Sequence, residues 1–327
     1  MKAVWYEKNG TAKDVLTIGE MPTPEPGPGE VRIRLHVSGL NPSDVKSRRG
    51  RPLIAPRIIP NSDGAGIIDK VGEGVPASRI GERVWTWNGQ WKRPFGTSAE
   101  FITLPAEQAV HLPDAVSFEA GACFGIPLLT AIQAVRLSGP VEGRTVLVTG
   151  AAAAVGHYIT QILKRRGARV IGTASPERTE HARSAGADVI IDYRQEDVAA
   201  RVKELTGDKG ADVIIDMDLS TTAELVKDGA LASYGTYVCF GSNNSGDNTI
   251  SFMAFISRCI TAQFFIVYEL SKEDRKRTLA ELDTLIADPT LIHTIGARYA
   301  LDDIVAAHEA VEGGKVIGNV VLEIPQA

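Results

Sequence analysis

Cysteine is scarce in this chain: Cys123, Cys239 and Cys259 are the only ones among 327 residues, far apart and without a C-x-x-C pair. This scarcity argues against a disulfide framework or a thiolate metal cage, and each cysteine sits among apolar neighbours as a small core residue would. Long hydrophobic runs are missing too. No stretch approaches the roughly 18 apolar residues that span a bilayer, and Met1-Lys2-Ala3-Val4-Trp5-Tyr6 begins like a strand rather than a signal region. A cytoplasmic protein with no membrane partner is expected. Nor is positive charge in excess: 35 Lys and Arg against 40 Asp and Glu leave a net charge of -5. That balance supplies no field for nucleic acid, and none is expected as a partner. The six histidines, at 36, 111, 157, 181, 293 and 308, never fall three or four apart. The simple helical metal pair is thereby removed, and no metal site is expected.

What the chain does contain is an ordinary globular composition, 44% hydrophobic and 23% charged, over a length that suggests two domains. Its first third is built of short alternating segments broken by turns. Val31-Arg32-Ile33-Arg34-Leu35-His36-Val37 alternates as a half-buried strand does, and the preceding PTPEPGPGE cannot join a central ladder. Further strand and turn signals follow in Gly64-Ala65-Gly66-Ile67-Ile68 and Gly81-Glu82-Arg83-Val84-Trp85. Ser117 can cap a long helix that ends near Ser138-Gly139-Pro140.

From Thr145 the pattern becomes a regular alternation of β-branched runs and helical stretches. Strands are predicted over 145–149, 169–173, 189–191, 211–216 and 236–240, with helices starting near Ala154, Pro176, Gln195 and Ser220. Strands buried on both faces and joined by helical crossovers imply an α/β, doubly wound parallel sheet. The tail returns to mixed signals: helices over 271–287 and 301–312, and a final strand over 318–324.

The first strand of that region runs into Gly150-Ala151-Ala152-Ala153-Ala154-Val155-Gly156. In a dinucleotide-binding turn, one glycine permits the tight turn, one lets the backbone approach the pyrophosphate, and one lets helix pack on strand. Gly150 and Gly156 can do the first and last jobs. Ala153 and Ala154 stand at the middle one, weakening the approach without closing it, since the helix-end amides remain available. Taken alone, the turn reads equally well as a βα unit without ligand. The second strand ends at Ala174, where an NAD-specific site would offer a carboxylate to the ribose. Ser175 and Arg178 can instead donate to a 2′-phosphate, Arg178 as a charged fork.

Together, GLNPSDVKSRRG (39 to 50), PNSDGAGIIDKVGEGV (60 to 75), GERVW (81 to 85), GTSAEF (96 to 101), the βα turn, DYRQED (192 to 197) and FGSNNSG (240 to 246) carry a resemblance that runs nearly end to end. The chain resembles the medium-chain dehydrogenase/reductase superfamily, in its zinc-free quinone oxidoreductase (zeta-crystallin-like) branch. The resemblance implies a GroES-like β-rich domain over 1–124, a Rossmann NADP-binding domain over 125–262, and a C-terminal return to the first domain over 263–327. It implies NADPH as cofactor, with Thr130 and Gly241 near the nicotinamide, Phe240 and Ser242 beside Gly241, and Tyr193 flanking the adenosine phosphate with Ser175 and Arg178. Where zinc-dependent members place metal ligands, this sequence has Asn41, Ser62-Asp63 and Ile126.

Without a Lewis acid, reduction of an already electron-poor acceptor is the natural chemistry, the oxyanion needing only donors and a proton. Asn41 is the candidate donor, with Lys46 adding charge and Asp44 holding one of the two; Asn41-Pro42-Ser43-Asp44 also reads simply as a helix-starting turn. Trp87 or Trp91 of WTWNGQW can form a wall for a flat substrate, while Trp85 belongs to the core. The expectation is a homodimeric, NADPH-dependent reductase of quinones or related carbonyl compounds. An enal, enone or enoyl-thioester reductase is the rival on the same scaffold. An NADPH-binding sensor or RNA-associated protein with little catalysis is the rival of another class.

Overall fold

A computed structural model describes residues 1–326. The chain forms two compact units, Met1–Ile126 with His293–Ala327, and Pro127–Ile292. The return to the first unit therefore comes at His293, not at residue 263. Residues 263–292 stay with the second unit because Lys272–Ile286 is a helix packed on Leu129–Leu137, where the Thr278 hydroxyl donates to Gln133 Oε1 at 3.2 Å.

In the first unit a seven-stranded sheet is centred on Glu30–Leu40, whose alternation buries Val31, Ile33, Leu35 and Val37. That strand pairs antiparallel with Asp63–Val71, Phe101–Pro105 and Asn319–Glu323. The C-terminal segment thus completes a sheet begun near the N-terminus, and Leu301, Ile304, Val320 and Leu322 join its core. The helix Pro42–Gly50 leaves directly from the central strand, with Pro42 in its first turn where a missing N–H costs nothing.

The stretch expected as one long helix from Ser117 is three pieces. Ser117 does cap Phe118–Gly121, accepting from the Ala120 N–H at 3.2 Å. A π-turn over Phe124–Leu128, containing Pro127, then intervenes before Leu129–Leu137.

The second unit is a parallel sheet. Numbered along the chain, its strands are β1 (Thr145–Val148), β2 (Arg169–Ala174), β3 (Val189–Asp192), β4 (Ala211–Asp216), β5 (Leu231–Cys239) and β6 (Thr261–Phe264). Their spatial order is β3-β2-β1-β4-β5-β6, the doubly wound arrangement with its switch between β1 and β4. Leu147, Ile171, Ile191, Ile214 and Tyr237 form the core on one face, against Val202 and Val226. Helix α1 (Ala154–Arg165) begins where expected. The next helix starts at Thr179 after a 3₁₀ turn at Pro176–Arg178, and the one after starts at Val198, capped by Asp197. Strand β6, absent from the sequence-based expectation, ends the sheet. Among the described residues no helix is long and apolar enough to cross a membrane.

Candidate functional site

The turn between β1 and α1 uses its two glycines as the spacing predicted. Gly150 has φ +65°, a left-handed conformation that favours glycine, and its N–H donates to Thr173 Oγ1 at 2.9 Å. A Cβ on Gly156 would lie 2.1 Å from the Gly150 carbonyl oxygen, so only glycine lets the helix approach the turn this closely. Ala153 is the N-cap, with extended backbone, and Ala154 opens the helix. The alanine methyls therefore stand beside the first turn, not within the contact that Gly156 makes.

Register gathers the remaining candidates at the carboxyl ends of the strands. Asp192 of β3 pairs with Ala174 of β2, so Tyr193 and Ser175 follow side by side. Ser175 is buried, and its hydroxyl, after the Glu177 backbone N–H and before Arg194, holds the Glu177 carboxyl below its ordinary range. Arg194 pairs with Glu177 at 3.0 Å and sits over the Tyr193 ring at 5.9 Å. The sequence reading missed Arg194; its adjacency to Tyr193 was the available signal. Arg178 closes the 3₁₀ turn, its N–H donating to the Ser175 carbonyl at 2.9 Å. At the end of β5, Phe240 N–H donates to the Asp216 carbonyl, and the Gly241 carbonyl accepts from Leu219 N–H. A Cβ on Gly241 would lie 2.4 Å from the Met217 oxygen. Ser242 follows, donating to the Asn244 carbonyl at 2.7 Å. Thr130 is buried on the helix Leu129–Leu137. The turn, the left-handed Gly150 and the open helix end at Ala154 and Val155 fit a pyrophosphate, and Ser175, Arg178 and Arg194, on the segments that follow β2 and β3, are the candidate donors to an additional phosphate.

A second constellation lies in the first unit. Asn41 caps the helix Pro42–Gly50, and its backbone N–H donates to Asp44 Oδ2 at 2.8 Å in a capping box. Its side-chain Nδ2 donates to Asp63 Oδ2 at 2.9 Å, and the same oxygen accepts from the Ile126 N–H at 3.0 Å. Asn41, Asp63 and Ile126, the positions that the resemblance set against a metal centre, thus converge as a hydrogen-bonded group. Among the described residues no set of three or more His, Cys, Asp or Glu side chains is arranged to hold a metal ion.

The close packing depends on the π-turn: a Cβ on Gly125 would lie 2.2 Å from Asp63 Oδ1. Burial pushes the Asp63 carboxyl well above its usual range, and Asp44 adds to the rise. Burial likewise pushes Asp44 up to about 7, with the Asn41 backbone and side chain pulling it back ahead of Arg51. Of the two residues that Asp44 was expected to choose between, it is Asn41 that it holds. Lys46 is exposed, two residues beyond Asp44 and so on another face of the helix.

Of the tryptophans, Trp85 is fully buried, edge-on to Phe124 at 5.7 Å, as a core residue should be. Trp87 is half-buried, its carbonyl accepting from Gln108. Trp91 is half-buried under the Arg51 guanidinium, 4.6 Å from the ring centroid.

Residues 27–114 match the alcohol dehydrogenase GroES-like domain family, and residues 154–284 match the zinc-binding dehydrogenase family. A quinone oxidoreductase from Pseudomonas aeruginosa is 34% identical over 94% of this chain and 95% of its own length. A trans-enoyl reductase from Aspergillus flavipes is 32% identical over 65% of this chain and 68% of its own length. The structure of the Escherichia coli quinone oxidoreductase complexed with NADPH superposes with a TM-score of 0.88 and 27% identity, covering 99% of this chain and 100% of that one.

Proposed function

Because the chain belongs to the medium-chain dehydrogenase/reductase superfamily, in its zinc-free quinone oxidoreductase branch, we propose that it reduces quinones and related electron-poor carbonyl compounds with NADPH. The observation that carries this reading is the fixed amide of Asn41. One of its hydrogens is committed to Asp63, and the side chain also bonds to Asp44, so the amide is held in one orientation from which it donates to an acceptor oxygen. NADPH, when bound, supplies the hydride. Ser175 and Arg178 would hold its 2′-phosphate, with Arg194 as a further cation kept in place by Glu177, and the amides at the start of α1 would take its pyrophosphate. Asp44, with its carboxyl pushed up to about 7 by burial, exchanges a proton around neutral pH close to the Asn41 amide.

The enoyl-type reading is the second candidate, supported by the trans-enoyl reductase likeness; hydride addition to an enone makes the same demand on Asn41. A homodimer is part of the proposal. Strand β6 pairs with β5 alone among the described residues, and its last residue, Phe264, is 55% exposed. Phe252 and Met253 on the adjoining segment are 68% and 65% exposed, an apolar surface that a second copy would cover. The three free thiols fit a reducing compartment such as the cytoplasm.

The test is NADPH consumption by chelator-treated protein against quinones, enals and enoyl thioesters. Turnover with quinones surpassing the other two is expected. No consumption with any acceptor, or activity lost on chelation and restored by zinc, overturns the proposal.

A further inference from the structure

A hollow of about 130 Å³ lies within the first unit, walled by Tyr6, Ser47, Arg51, Ile54, Trp91 and Lys92. None of its ten lining residues is acidic, although the chain as a whole carries a charge of -5. Arg51 is exposed and forms no ion pair among the described residues; what its guanidinium touches is the face of Trp91, at 4.6 Å. An arginine seated on an indole still presents its N–H edge, in the geometry that grips a carboxylate or phosphate by two bonds.

The loop that carries Trp91 is held in an uncommon conformation. Asn88 and Lys92 both have φ +56°, a left-handed value that asparagine adopts readily and that lysine adopts only at a cost. The hollow also adjoins the residues placed in the reaction. Ser47 is on the helix that Asn41 caps, and Tyr6 and Arg51 both lie within electrostatic reach of Asp44.

We propose that this hollow is a subsite for an anionic group on the acceptor, gripped by Arg51 against Trp91, so that the preferred substrates are electron-poor carbonyl compounds bearing a carboxylate or a phosphate. The proposal rests on the reductase reading above. An anion held here would fix a flat acceptor by its far end, leaving its carbonyl to be met by the Asn41 amide.

The experiment titrates the NADPH-saturated protein by calorimetry with 2-naphthoate, 2-naphthyl phosphate and the neutral 2-naphthamide. At least one of the two anions is expected to bind tenfold or more tightly than the amide, and the tighter of them names the source of the charge. Arg51→Gln and Arg51→Met, the latter keeping an apolar stem over the indole, are expected to reduce that preference below threefold; Lys92→Gln should reduce it less. Equal binding of amide and anions by the parent, or a preference that survives both Arg51 variants, overturns the subsite. Anion preference in a protein that consumes no NADPH with any of the quinones, enals or enoyl thioesters offered would sink the reductase reading and leave the binding site. Rapid turnover of neutral and anionic quinones with equal KM would sink the subsite and leave the reductase.

Discussion

Each unit buries one aspartate completely, and the two are treated in opposite ways. Asp216, at the end of β4, is surrounded by donors: the hydroxyls of Thr149, Thr222 and Tyr237, and the Asp218 N–H. It fastens the ends of β1, β4 and β5 beside the turn between β1 and α1. Asp63 has donors on one oxygen only, and its other oxygen is buried with no hydrogen bond among the described residues. Full satisfaction makes a buried carboxylate a fastener. Partial satisfaction leaves one whose carboxyl burial pushes well above its ordinary range and which orients a neighbour's amide.

Removing the fastener should have the largest effect. Asp216→Ala strands three hydroxyls in the core and is expected to lower the unfolding free energy by about 3–5 kcal/mol, read by urea denaturation; a loss below about 1 kcal/mol would deny the contrast. The second effect belongs to the first unit and to pH. The folded Asp44 carboxyl, near 7 against an ordinary 3.8, keeps a proton that the unfolded chain releases, so its contribution is largest in acid and is lost as pH rises through 7. From pH 5 to pH 8 that loss is about 2–3 kcal/mol, and Asp44→Asn should flatten the stability profile by that amount. An unchanged slope would mean that Asp44 is ionised in the fold.

Asp63→Asn should separate orientation from stability. Turnover is expected to fall by roughly 10- to 100-fold as the Asn41 amide loses its anchor, with NADPH affinity unchanged; rescue of the rate at low pH would contradict an orienting role. On the nucleotide side, Arg178→Ala should cut the preference for NADPH over NADH by about tenfold, or about 1.4 kcal/mol, in paired affinity titrations. The smallest effect is at the alanines. Glycine at Ala153 should be nearly neutral, because that residue is the N-cap, whereas glycine at Ala154 should cost up to about 1 kcal/mol. NADPH binding by the double variant should be equal or tighter, and weaker binding would mean that the methyls help to shape the turn.

The α/β plan was legible because long-range order here is written locally: β-branched runs alternate with helical stretches, and Gly150 and Gly156 stand where backbone contact requires them. Strand β6 was not legible. Thr261–Phe264 is four residues long and mostly exposed, and so shows neither the apolar run of a buried strand nor strict alternation. The break near Phe124 had a local signal in Gly125 and Pro127, which disfavour a continuous helix, but its form was hidden. The π-turn is held by Asp63, whose Oδ2 accepts from the Ile126 N–H across 63 residues of chain. That partner is remote in sequence, and nothing around Phe124 announces it. Asp63 itself was legible only as a position; its grip on Asn41 joins residues from two segments that no local pattern links. Arg194 was passed over because a charge next to an exposed tyrosine resembles any solvated surface.

The closing of the first unit's sheet by Asn319–Glu323 against Glu30–Leu40 has a consequence for synthesis. Residues 127–292 form a unit with all its strands contiguous in the chain, able to fold as soon as they leave the ribosome. The first unit has to wait: its central strand is made early, yet one of its neighbours is made only after the whole second unit. The buried Arg48 must likewise wait for Glu312, its ion-pair partner at 2.5 Å. Until then a nascent chain carries an open strand edge and an Arg48 that cannot be buried for want of its carboxylate partner, which makes the interval before those late segments emerge its period of greatest exposure to aggregation and to chaperones.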